Sequence, residues 1–207
     1  MKIPVNFRKI DKGQEGDWYR LTDILDELNI TKTNVTFWAN DIRRHLHGHI
    51  CSLTFNTGKA ELTCLYTTLE GLIYLALRVN SMMRQEVIEA TMAGKLPFPV
   101  KELGMAVSHD GRQWYSFTKV VNCVVHDGNP PNQTVTTTIN VVPRSEIAQI
   151  SQRIGDTERF GSRSWHITPL GIMHYLMNSK TSYSCKYKAE VAKKVAAILK
   201  DSAMKRA

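Results

Sequence analysis

The sequence predicts an α+β protein of two tandem modules, residues 1–96 and 97–207, each a β-hairpin followed by short helices. Three blocks that repeat in order carry this expectation. EGDWYRLTDIL (15–25) returns as DGRQWYSFTKV (110–120), with Trp18-Tyr19 falling on Trp114-Tyr115 at an offset of 96. Ile3-Pro4-Val5 answers to Phe98-Pro99-Val100 at an offset of 95, and TTLEGLIYLAL (67–77) to ITPLGIMHYLM (167–177) at 100. Three blocks at a nearly constant offset, one holding two of only four tryptophans, mark a duplication.

In the first module VNFRKI and WYRL are extended runs around DKGQEGD, whose Gly and Asp suit a bend, so a hairpin is expected. Leu21, Ile24, Leu25 and Leu28 recur at i, i+3, i+4 and i+7, a short helix that stops near Asn29. After the polar TKT, Val35, Trp38, Ile42 and Leu46 share one helical face; the other faces carry Thr36, Asn40, Arg43 and Arg44. Two short helices joined by a tight polar turn form a helix-turn-helix candidate. HICSLTF and AELTCLY flank an Asn-Thr-Gly-Lys turn, a second hairpin in the position of a wing, so the module reads as winged-helix-like. Thr67-Thr68-Leu69-Glu70 has the form of a capping box before a helix that buries Leu69, Leu72, Ile73 and Ala76. A helix over 82–93, with Met83, Val87 and Ile88 inward, closes the module before GKLPFP.

The second module keeps the first hairpin and short helix, then inserts HDGNPPNQTVTTTINVVP. SEIAQISQRIG places Ile147, Ile150 and Ile154 on one face and predicts a helix in the slot of 34–46, with the wing reduced to DTERFGSRSW. Thr168 caps the next helix with Pro169 at its first position. A Lys-rich helix over 184–203 ends the module, with Val191, Val195 and Ile198 inward.

Composition is that of a folded chain, 43% apolar and 22% charged, with no apolar run near the roughly 20 residues of a membrane helix. MKIPVNFRKI lacks the apolar core of a signal peptide, so a cytoplasmic protein is expected. The four cysteines form no CxxC pair, which suits reduced, buried thiols. The net charge of +8 invites a polyanion. Residues 1–97 hold 12 Lys and Arg against 11 Asp and Glu, whereas 98–207 hold 15 against 8.

The order W-Y-x-x-T-D-I-L, a basic helix, a hairpin, then Y-x-T-L-E-G-L-I-Y-L-A-L-R and M-R-Q-E-V-I-E resembles the BRO-N domain. That module, like its relative KilA-N, occurs in bacteriophage antirepressors and large DNA viruses. The resemblance covers 1–97 well and 98–207 faintly. It implies a DNA-binding α+β module acting in transcription regulation in a host cell. The second copy departs from the pattern: Lys119 stands where the first has Asp23, and most of the wing is lost.

Duplex DNA is therefore the expected partner. Asn40, Arg43 and Arg44 are the candidates for base contact, because Arg pairs with guanine and Asn with adenine in the major groove. Lys32 and Thr33 at that helix's start, and Lys59 at the wing tip, are candidates for phosphate. Arg153, Arg159, Arg163, Lys186 and Lys188 belong to the densest positive region, which would bind phosphates without reading sequence. Trp18 and Trp114 read as packing where hairpin meets helix, since both recur beside the same apolar pattern. The run His45, His47, His49, Cys51 is set aside as a metal site because Gly48 interrupts it and the second copy lacks it. No nucleophile elbow, P-loop or dinucleotide-binding glycine pattern is present, so neither enzyme activity nor a cofactor is expected. The alternative is a protein-binding inhibitor, an antirepressor or a factor neutralising a host protein, that reuses the fold; self-association is compatible with either.

Overall fold

A computed structural model describes residues 9–10, 17–30, 34–58, 60–100, 103, 105–120, 141–150 and 164–205. In chain order the elements are β1 (Lys9–Ile10), β2 (Trp18–Arg20), α1 (Leu21–Glu27), α2 (Val35–His45), β3 (Ile50–Asn56), β4 (Glu61–Thr68), α3 (Leu69–Val79) and α4 (Ser81–Met92). Then follow β5 (Val107–His109), β6 (Arg112–Ser116), a helical turn at 117–120 and a 3-10 turn at Arg144–Glu146. The last elements are β7 (Ile147–Ile150), β8 (Ser164–Ile167), α5 (Pro169–Asn178) and α6 (Ser182–Met204). The protein is thus mixed α+β with two four-stranded antiparallel sheets, ordered β1-β2-β4-β3 and β5-β6-β8-β7.

The two sheets repeat one another down to register. Tyr19 faces Thr67 and Arg20 faces Tyr66 in the first; Tyr115 faces Ile167 and Ser116 faces His166 in the second. These pairs differ by 96 on one strand and 100 on the other, the offsets of the sequence blocks. The edge pairing agrees too: Ile50–Thr67 through Leu53–Cys64 corresponds to Ile147–Ile167 through Ile150–Ser164. Because a slip of one residue would turn every side chain to the other face, matching register means that equivalent residues of the two copies face the same side of their sheets.

Packing explains the repeated residues. Trp18 and Trp114 are both buried, as are the leading side chains of the following helices: Leu21, Ile24 and Leu25 in α1, Phe117 and Val120 after β6. α1 ends as the sequence suggests, with Asn29 at φ 55° and Ile30 N–H bonding Leu25 O at 2.8 Å, a Schellman-type stop. The second hairpin closes through Asp110 (φ 50°) and Gly111 (φ 77°), left-handed at both central positions as a type I′ turn requires. At the starts of α3 and α5 a side chain has no room. A Cβ on Gly71 would collide with the Thr67 hydroxyl, and one on Gly171 would lie 2.7 Å from the Glu146 carbonyl oxygen.

Four expectations are corrected. The SEIAQI segment is a 3-10 turn and a strand, the counterpart of β3 rather than α2; residues 151–163 lie outside the described residues. Ile147 and Ile150 are both buried in that short strand, so burial there shows no alternation and mimics helical spacing. No capping box forms at α3: its N-cap is Thr68 without a side-chain cap bond, while Thr67 Oγ1 donates to His49 O at 2.6 Å. At α5 the expectation holds, with Gly171 N–H donating to Thr168 Oγ1 at 3.1 Å and Pro169 at the first position. Ile198 is 52% exposed rather than inward, and Lys188 is 2% exposed rather than on the surface. The inner stripe of α6 runs through Lys188, Val191, Ala192 and Val195, one helical period apart.

The chain divides into two compact units, residues 1–86 with 186–207, and residues 87–185. This departs from a simple boundary at 96/97: the basic end of α6 belongs with the first sheet. No helix among the described residues is long and apolar enough to cross a membrane.

Candidate nucleic-acid interface

The site is built on α2. Its inner face packs Ala39, Ile42 and Leu46, all without solvent exposure, and its outer face presents Thr36, Phe37, Asn40, Arg43 and Arg44. The three residues expected to reach bases are thus together on solvent. Arg43 Nη1 donates to Asn40 Oδ1 at 2.9 Å, one helical turn apart. Arg43, Arg44 and His45 occupy the last turn, where the helix dipole favours positive charge.

Asp41, between these residues in sequence, faces the other way. Its carboxylate accepts from Tyr74 Oη at 3.0 Å and pairs with Arg78 Nη1 at 3.1 Å, both carried by α3. Arg78 also donates to Tyr74 Oη at 3.1 Å, and its guanidinium lies 5.9 Å from the Trp38 ring centre. The ion pair is buried, with both side chains about 9% exposed. It therefore seats α2 on α3 and takes the helix's one acidic group off the outer face.

Three lysines of α6 extend the positive surface. Lys186, Lys193 and Lys200 are exposed and spaced by seven, close to two helical turns, so they share a stripe. Two histidines register their nearness. Burial lowers the His45 pKa, Asp41 partly opposes it, and Arg78, Arg44 and Lys186 lower it further. His49 is likewise lowered by burial, against Glu70, with Lys193 and Lys200 adding to the fall. Lys200 is placed by geometry as well, since Glu70 pairs with it and faces His49 just before β3.

A cavity of about 270 Å³ opens at the start of α3, its walls including Trp18, His49, Thr68, Glu70 and Lys200. Its charges satisfy one another. Lys200 Nζ is 2.7 Å from Glu70 Oε1, His49 Nδ1 is 3.6 Å from Glu70 Oε2, and His49 Nδ1 and Thr68 Oγ1 are 2.8 Å apart. Burial alone would raise the Glu70 pKa, but hydrogen bonds led by that from Lys200 outweigh it and hold the carboxyl below its ordinary value. In the second unit Glu146 holds the matching position before its strand; it accepts from the Thr168 hydroxyl and pairs with Arg112 at 3.3 Å. Trp114, buried there, donates to His109 O and Asp110 Oδ1 at 3.0 and 2.8 Å and lies under the Arg112 guanidinium. It is a packing residue.

Of the remaining candidates, Lys186 is exposed, while Lys188 is interior. Lys32, Thr33, Lys59, Arg153, Arg159 and Arg163 lie outside the described residues. The hairpin that carries position 59 is present: Asn56 Oδ1 accepts from Gly58 N–H at 2.9 Å in an exposed turn. Two features escaped the sequence reading. Lys200 is signalled only by its spacing from Lys186 and Lys193, and Phe37 only by standing off the inner stripe of α2. Compared with models of known families, with curated proteins and with solved structures, the chain matches none.

Proposed function

We propose that the protein is a non-enzymatic DNA-binding regulatory protein of a phage or virus, in which α2 serves as the recognition helix of a winged-helix-like module. The observation that carries this reading is the outer face of α2: Asn40, Arg43 and Arg44 are exposed together while Asp41 is spent on a buried pair with Arg78. Arg pairs two hydrogen bonds with guanine and Asn with adenine, each worth about 1–3 kcal/mol of discrimination. Lys186 and Lys193, exposed on α6 in the same unit, would supply phosphate anchoring, and the β3–β4 hairpin follows α2 in the order a wing takes. The division into units strengthens the reading. The unit that holds α2 carries 18 Lys and Arg against 12 Asp and Glu, so the excess charge and the reading helix belong together. The resemblance to BRO-N and KilA-N points the same way.

The test is fluorescence anisotropy of labelled random and selected duplexes across salt, for wild type and for Arg43→Ala/Arg44→Ala. Binding at low salt that the double substitution weakens by tenfold or more is the expected result. No duplex binding at about 50 mM salt contradicts it.

A second reading, a protein-binding inhibitor, rests on a different observation. Phe55 and Leu62 face each other across β3–β4 near its tip and are 42% and 50% exposed. An exposed apolar pair of this kind suits a protein surface. Capture of one host protein after nuclease treatment, lost in Phe55→Ser/Leu62→Ser but kept in the double Arg variant, would favour it.

A further inference from the structure

Phe37 is 55% exposed on the outer face of α2, in the helix's first turn. The spacing puts Asn40 one turn and Arg44 two turns further along its stripe. Its ring meets Trp38 edge-on, with centroids 5.2 Å apart and planes at 81°. Trp38 in turn lies beneath Arg78, the partner of Asp41. The network that seats α2 thus also fixes where this ring stands.

Hydrogen-bonding side chains on a recognition helix have donors and acceptors to meet along the major groove. An apolar ring has one complement there, the 5-methyl group of thymine. A protein-docking patch needs contiguous apolar area. Phe37 offers a single ring among Thr36, Asn40, Arg43 and Arg44, and among the described residues of α2 no other large apolar side chain is exposed. A methyl group needs only one ring, and the two guanidiniums further along the same helix match a polyanion.

Resting on the DNA-binding reading above, we infer that Phe37 is a specificity-determining residue that packs on a thymine 5-methyl group beside the base pairs met by Asn40 and Arg44. It selects thymine by contact alone, with no hydrogen bond of its own.

The test begins by selecting the tightest-bound sequences from random duplexes. One selected duplex is then compared with the same duplex carrying deoxyuridine in place of every thymidine, which removes only the methyl groups. Wild type should bind the deoxyuridine duplex about tenfold more weakly, the scale of a lost apolar group in a fitted pocket. Phe37→Ala should bind the thymidine duplex more weakly and no longer distinguish the two, while Phe37→Leu keeps part of the discrimination. Circular dichroism confirms that each variant folds. Equal affinity of wild type for both duplexes, selected sites without thymine, or full discrimination by Phe37→Ala overturns the inference and leaves DNA binding standing. No binding to any duplex at low salt overturns the DNA-binding reading and this inference with it.

Discussion

Asp41 shows how one side chain sets what its neighbours can do. With both partners about 9% exposed, the Asp41–Arg78 pair is held in a poorly solvated place, and removing one partner strands the other's charge. Arg78→Ala should therefore cost about 3–5 kcal/mol in urea unfolding, whereas Arg44→Ala, on solvent, should stay within about 0.5 kcal/mol. Equal stability of the two variants would mean that the pair does not seat α2. Gly171→Ala should cost about 1–3 kcal/mol, because its Cβ would lie 2.7 Å from both the backbone oxygen of Glu146 and Cγ1 of the buried Ile167. At this scale periodicity was a good guide to exposure. The Val35, Trp38, Ile42, Leu46 stripe puts Asn40, Arg43 and Arg44 outside, as observed. It could not supply the partners of Asp41, Tyr74 and Arg78, which lie 33 and 37 residues away on α3. Lys188 was legible and overlooked: it stands one helical period before Val191 and Ala192, on the stripe already read as inward.

Among the elements, long periodic segments and turns with distinctive chemistry were legible. The β3–β4 hairpin, α4 and the hairpin that turns at Asp110-Gly111 lie where the sequence places them. The segment 145–150 was not, because Ile147 and Ile150, even with Ile154 beyond them, sample too few positions to separate a period of two from one of 3.6, and its partner strand β8 lies beyond residues 151–163. The capping box failed for a related reason. The Thr-x-x-Glu pattern is local, but Thr67 is drawn to the His49 carbonyl and Glu70 to Lys200, both distant in sequence. The two copies therefore differ in how their equivalent helices begin. Thr168→Ala removes a cap bond that Thr68→Ala does not, so it should destabilise by about 1 kcal/mol more. Equal losses in chemical unfolding would contradict this assignment of caps.

For the whole molecule, the duplication was readable because three blocks kept their order and offset, and the matching strand registers give it a structural form. The division into units was not readable, since nothing local in α6 says that residues 186–207 pack with the first sheet. That assignment changes the charge argument: a first half that looks nearly neutral becomes a unit with a clear positive excess. It also bears on pH. His45, His49 and His174 each have a pKa below the ordinary 6.5, with burial the leading cause. The unfolded chain then takes up protons before the folded one, so stability present above pH 6.5 is lost as pH falls through that value toward the folded pKa values. The thermal midpoint should drop between pH 7 and pH 5, and His49→Gln should flatten the dependence; a midpoint that rises on acidification would contradict the shifts. The central claim, that α2 and the α6 stripe form one DNA-binding surface, is tested most directly by the salt dependence of duplex affinity. Wild-type affinity should fall with salt along a log–log line, and Lys186→Ala/Lys193→Ala should reduce its steepness by about 2. A wild type without measurable duplex affinity at low salt, or a slope unchanged by the lysine substitutions, would contradict it.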